Sequence, residues 1–209
     1  MGGSVDIKAI SSYGSPLSEL AVTESDGKVF IVWDVHHSLI DGISLSLIFD
    51  RVASIYQNPS APSNIIPFKS FIEHQALLSQ EEAKKWWAEF LEGAPVSDWP
   101  RDTGSGSETV RLTAPLSSAD RPFTLATYIK TAWAYLVGTY SGSSDVVFGC
   151  TNWGRSSSMP GVLSVVGPTI TTVPFRVQFR DESTISDVLY KVQSDSIKMA
   201  AHDHIGLLE

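Results

Sequence analysis

Apolar residues fall into runs and stripes that divide the chain into strands and helices. Lys28–Val35 is nearly all apolar and β-prone, and reads as a buried strand. From Ile43 to Gln57 the spacing changes to three and four, which sets Leu45, Ile48, Val52, Ile55 and Tyr56 on one helical face. Three prolines between Asn58 and Pro67 mark a linker or crossover. Phe68–Leu78 reads as a helix. Ser79 with Glu82 forms a capping box for the next one, which buries Ala83, Trp86, Trp87, Phe90 and Leu91 and stops at Gly93.

The second half repeats the alternation. Pro95–Glu108 holds Gly104, Ser105, Gly106 and Ser107, a flexible junction between two halves, 1–93 and 94–209. Thr109–Thr113 alternates like a short strand. Thr124 caps a helix running to Tyr140, with Leu125, Tyr128, Ile129, Ala132, Trp133, Leu136 and Val137 on the expected buried side. After a turn at 141–144, Asp145–Thr151 is a strand and Trp153–Gly161 a loop. Ile170–Phe179 is a strand in which Pro174 demands an edge or a bulge. Thr184 and Asp187 cap a last helix carrying Ile185, Val188, Leu189, Val192 and Met199. Strands alternate irregularly with helices, which predicts an α/β or α+β layered domain.

Composition narrows the function classes. With 43% hydrophobic and 18% charged residues the chain is globular rather than disordered. A net charge of −8 argues against nucleic acid and anionic membranes as partners. The start of the chain carries neither a signal peptide nor, with Asp6 after Gly2, a myristoylation pattern, and no apolar run is long enough to span a bilayer, so the expected compartment is the cytoplasm. Cys150 is the single cysteine and reads as an inert buried thiol in a strand. No Gly-rich phosphate loop follows a strand.

One stretch is chemically unusual: Val35-His36-His37-Ser38-Leu39-Ile40-Asp41-Gly42-Ile43-Ser44. Two adjacent histidines end an apolar strand just before a helix. Strand alternation would send their rings to opposite sides, so that one faces a cavity and the other packs inward. Histidine suits proton transfer near neutral pH. Asp41, at the helix start, can cap backbone N–H groups or pair with a cation, and Gly42 permits a backbone geometry that a side chain would block. A zinc site finds no third ligand at metal-site spacing, even with His202 and His204 in view. Taken singly, each residue also reads as ordinary packing or capping.

Taken together, His-His-x-x-x-Asp-Gly after an apolar strand resembles the signature shared by chloramphenicol acetyltransferase and the condensation domains of nonribosomal peptide synthetases. Further segments favour the condensation domains, in fungal form. Phe68-Lys69-Ser70-Phe71-Ile72-Glu73-His74 is similar to Tyr-x-Asp-Phe-Ala-x-Trp. The segment from Val165 to Arg176 is similar to Val-Gly-x-Phe-x-Asn-Thr-x-x-x-Arg. Asp145–Gly149 followed by Gly154-Arg155 fits another pattern, and Ala201–Gly206 stands where His-Gln-Asp-x-Pro is usual. Phe68, His74 and Thr171 replace the usual Tyr, Trp and Asn. The family's two opening motifs and its last one are absent from this sequence.

The resemblance implies a chloramphenicol acetyltransferase-like sandwich, here part of a two-lobed domain with a channel between lobes. The end of the N-terminal lobe falls in 1–93 and a partial C-terminal lobe in 94–209. It implies amide-bond formation between a donor acyl or peptidyl thioester and an acceptor aminoacyl group. Both arrive on the phosphopantetheine arms of peptidyl carrier proteins beside neighbouring synthetase domains. No cofactor or metal is expected on the domain itself. The implied site is His37 at the meeting point, as general base or as a positioning group, with His36 and Asp41 in support and Gly42 lining the channel. Asp41 is implied to pair with Arg155, which otherwise reads as a solvated loop arginine. Competing readings are an epimerisation or ester-forming relative, and a truncated module that docks carriers without turning over.

Overall fold

A computed structural model describes residues 14–96, 109, 111–113, 121–156 and 158–205. Its elements in chain order are β1 (Ser18–Ser25), β2 (Lys28–Val35), α1 (Gly42–Gln57), β3 (Ile66–Pro67), α2 (Phe68–Gln75), α3 (Gln80–Leu91), α4 (Leu125–Ser141), β4 (Asp145–Asn152), β5 (Val165–Val166), β6 (Thr171–Gln178) and α5 (Ile185–Ala200). Short 3-10 turns occupy His37–Leu39 and Val162–Ser164. The described residues up to Leu78, with those of Arg155–Ile170, form one unit; those of Ser79–Gly154 and from Thr171 onward form another.

In the first unit β1 and β2 make an antiparallel hairpin in which Ser25 pairs Lys28. Asp26 and Gly27 both have positive φ, 52° and 72°, the two-residue turn that follows the right-handed twist of its strands. β2 has the expected limits but not the expected burial: Val29, Phe30 and Ile31 are exposed, because β1 is its pairing partner among the described residues and covers an edge, not a face. α1 also departs from expectation. Its stripe is largely solvent-facing, with Val52, Ile55 and Tyr56 exposed, and the residue it buries is Ser44. The core of this unit is instead Phe71, Met159, Val162 and Val165, with Ile66 and Phe68 packed against it. Two-residue strands β3 and β5 pair in parallel there.

In the second unit β4 and β6 pair antiparallel from Asp145↔Gln178 to Asn152↔Thr171. Alternation turns Val173, Phe175 and Val177 inward against α4 and α5. Pro174 sits opposite Gly149 on a strand that, among the described residues, has a single paired neighbour, an edge position of the kind that tolerates its missing N–H. α4 buries the expected Val137 but otherwise a different face: Thr127, Thr131 and Ala134 face in with it, while Leu125, Ile129, Trp133 and Leu136 are exposed. The helix is apolar on both sides, so periodicity alone cannot choose. The buried stripe is the one of small and hydroxyl side chains, and it lets α4 approach α5 closely. There Thr127 Oγ1 donates to Gln193 and Lys130 Nζ to Ser196.

Capping sets the ends of these helices. Thr184 and Asp187 form a reciprocal box for α5, and Ser79 Oγ accepts from Glu82 N–H at the start of α3. Cys150 lies in β4 but is half-buried, not buried. Thr109 and 111–113 carry no strand, and 97–108, with most of the expected flexible junction, lie outside the described residues, as do Gly2 and Asp6.

Candidate functional site

The site begins where β2 ends. His36 N–H donates to Leu17 O at 2.8 Å, one rung beyond the hairpin ladder. The strand then stops because the His36 ring caps the following turn: its Nδ1 accepts from Ser38 N–H at 3.2 Å and lies 2.7 Å from Ser38 Oγ. Strand alternation therefore no longer governs the pair. Both His36 and His37 are exposed, which corrects the expectation that one of them packs inward.

The surroundings of His37 favour one tautomer. Its Nδ1 is 2.9 Å from the carbonyl oxygen of Ile40, which can only accept, so Nδ1 carries the hydrogen. The neutral ring keeps its lone pair at Nε2. Ile40 is followed by Asp41, the N-cap of α1, whose carboxylate accepts from Ser44 N–H at 2.7 Å.

Asp41 is 2% exposed and carries more than the cap. Arg155 Nη2 donates to both its oxygens, at 3.0 and 3.1 Å. Ser44 Oγ stands 2.6 Å from Oδ1. Thr169 donates to Oδ2 through N–H and hydroxyl, each at 3.1 Å. Burial pushes the Asp41 carboxyl up, but the Ser44 donors, the Thr169 N–H and the Arg155 charge outweigh it and hold the carboxyl below its ordinary value. A carboxylate offers about four lone-pair sites, and these donors occupy them. Asp41 is built to stay ionised, not to exchange protons.

Arg155 is buried, not a solvated loop residue. Its Nη1 donates to Val162 O at 3.1 Å and Val165 O at 2.7 Å, so one guanidinium ties the 162–165 turn to the start of α1. Ser44 makes a second tie. Its oxygen accepts from Gly167 N–H at 2.9 Å, and its hydroxyl proton has Asp41 Oδ1 and, at 2.8 Å, Gly167 O as acceptors. Gly167 must be glycine, since a Cβ there would overlap the Phe68 ring. The backbone geometry expected of Gly42 is not needed: its φ is not positive and a Cβ would meet no atom within 4 Å, so nothing in the described structure blocks a side chain there.

The structure thus brings together Asp41 and Arg155 and sets His37 one turn before them. Sequence reasoning missed Ser44 and Thr169, whose hydroxyls reach partners more than a hundred positions away. It also missed the function of Arg176 in the second unit. That side chain grips Asp145 through Nε at 2.9 Å and Nη2 at 2.6 Å, and through Nη1 it reaches Glu92 O at 2.7 Å. The Arg176 hydrogen bonds hold the Asp145 carboxyl below its usual range. A cavity of about 210 Å³ lies in that unit, lined by Phe90, Arg176, Gln178, Val188, Lys191 and Val192 among others, and includes none of the histidine-motif residues. Among the described residues no helix is long and apolar enough to cross a membrane.

The family model of the condensation domain matches residues 8–209. The chain belongs to the condensation-domain family. Among relatives, this condensation-domain chain is 36% identical over 206 residues to the nonribosomal peptide synthetase atnA of Emericella nidulans, which covers 93% of the chain and 3% of that protein. The crystal structure of SeMet-CT matches with a TM-score of 0.74 at 26% identity, over 91% of the chain and 45% of that structure. The first condensation domain of the calcium-dependent antibiotic synthetase, solved with a substrate analogue, matches at a TM-score of 0.61 and 19% identity, which shows a shared fold. That shared fold is the chloramphenicol acetyltransferase-like one expected from the sequence. The chain spans less than half the length of these solved structures and a small part of the synthetase.

Proposed function

We propose that this condensation domain serves amide-bond formation in nonribosomal peptide synthesis, with His37 at the reacting amine. The observation that carries this reading is the His37 Nδ1 contact to Ile40 O, which favours the hydrogen on Nδ1 and leaves the lone pair at Nε2 of an exposed ring. An acceptor α-amine attacks the donor thioester carbonyl and a tetrahedral adduct forms. The C–S bond then breaks, and the proton leaving nitrogen passes by way of Nε2 to the departing thiolate. A positioned base contributes about 10²- to 10⁴-fold, and an α-amine with a pKa of about 8 is already partly neutral at pH 7. Asp41 and Arg155 keep the turn in place and take no proton. In this reading both substrates ride on phosphopantetheine arms of carrier proteins, neighbouring synthetase domains supply those carriers, and the work is done in the cytoplasm.

The test mixes the chain with a donor-loaded and an acceptor-loaded carrier protein and follows the peptidyl product by mass spectrometry. Product formed on the acceptor arm supports the reading. Carrier binding with no product makes the chain a docking module. An epimerised or ester product assigns it to a different branch of the family.

A further inference from the structure

We propose that Ser44 and Thr169 are positioning residues that select the tautomer of His37 by way of Asp41. The reading of His37 as the reacting group gives this selection its functional meaning, but the geometry stands apart from it. A peptide bond is planar, so the Ile40 carbonyl and the Asp41 N–H turn as one body. Whatever fixes the Asp41 backbone therefore fixes the oxygen that receives His37 Nδ1–H. Asp41 has φ −112° and ψ 177°, an extended conformation outside the helix it caps, so the helix does not hold that peptide by itself. The side chain holds it.

Two hydroxyls complete that hold. Ser44, fully buried, gives its one hydroxyl proton to Asp41 Oδ1 at 2.6 Å, the shorter of its two acceptor contacts, while its oxygen accepts from Gly167 N–H at 2.9 Å. Thr169, 3% exposed, reaches Oδ2 at 3.1 Å from the same 167–169 segment. The carboxylate is gripped on both oxygens from one stretch of chain, and Arg155 Nη2 spans the two. Arg155 supplies charge, but a single nitrogen equidistant from both oxygens leaves the carboxylate free to rotate about it. The Ser44 and Thr169 donors, an N–H and a hydroxyl on each oxygen, remove that freedom, and each hydroxyl supplies half of the grip on its oxygen.

The experiment reads the imidazole directly, with no substrate and no turnover. The 209-residue chain is labelled with ¹⁵N-histidine, and the two ring nitrogens of neutral His37 are assigned by comparison with His37→Gln. Wild type should show Nδ1–H in excess. Thr169→Val, which keeps the Thr169 backbone donor and the Arg155 pair and so leaves the fold supported, should lower the ratio of Nδ1–H to Nε2–H about fivefold, the effect of weakening one hydrogen bond. Ser44→Ala should move it the same way, and Thr169→Ser should restore the wild-type ratio. An unchanged ratio in folded Thr169→Val, or a Thr169→Ser spectrum no closer to wild type than Thr169→Val, overturns the proposal. Neither outcome bears on condensation, which is tested by the carrier assay. Conversely, absence of condensation would leave the tautomer ratios as stated.

Discussion

Asp41 and Arg155 stand 114 positions apart and meet at 3.0 Å with both side chains almost wholly removed from solvent. Such a pair is weak evidence for net stability but costly to break from one side, because the survivor is left charged in the interior. Arg155→Ala and Asp41→Ala should each destabilise the fold by about 3–5 kcal/mol. The double variant should lose clearly less than the two losses added. Urea unfolding of the three variants checks this. Additive losses would mean that the two side chains do not act as a pair.

Acid should unfold the protein through its carboxylates. Asp41 and Asp145 both have folded-state pKa values below the ordinary one. A depressed carboxylate contributes stability that is fully present above its unfolded value, about 3.9, and is lost as pH falls through the folded value. The contribution of these two carboxylates should therefore be intact from neutral pH down to about pH 5 and decline below about pH 4. Asp145→Asn should be less stable at pH 7 and show a shallower decline in acid. A decline as steep as that of wild type would remove Asp145 from the account.

Gly167→Ala should destabilise by about 1–3 kcal/mol, the usual cost of overpacking. The added methyl group meets the Phe68 ring, which belongs to the same core as Phe71 and Val165. Pairing it with Phe68→Leu should recover little of the loss, since the added methyl group also meets Phe68 Cβ and Cγ, atoms that leucine keeps. Thermal melting of the single and double variants checks this, and full recovery would show that only the outer ring atoms stand in the way.

Arg176→Lys should lower stability by about 1–3 kcal/mol even though charge is kept. An ammonium cannot supply the fork that holds both Asp145 oxygens and Glu92 O together. Chemical unfolding of the variant checks it. Wild-type stability would show that the charge alone suffices.

The parts of this protein legible in the sequence are those written in short-range patterns. The β-prone run at Lys28–Val35 has strand limits that match the structure, and the Thr184–Asp187 box starts α5 where the spacing placed it. β1 escaped notice, although Asp26-Gly27 is a strong hairpin signal and pointed backward to it. The faces of α1 and α4 were misjudged for one reason. Each helix carries apolar residues on more than one side, and which side packs depends on neighbours the helix does not encode. Alternation failed at His36 because the ring ends the strand by capping its own turn. Thr169 has no local signature, since a hydroxyl that reaches a carboxylate 128 positions away looks like any other hydroxyl, whereas Ser44 stands three positions after the capping Asp41, a spacing the sequence does show. The Asp41–Arg155 contact was expected from family likeness, not from spacing.

Replacing His37 with Ala and following amide product from loaded carriers under single turnover would decide whether the imidazole takes part. A loss of about 10²-fold or more is expected, with carrier binding and melting temperature unchanged, since among the described residues the exposed ring bonds the Ile40 carbonyl alone. Product formed at the wild-type rate would contradict it.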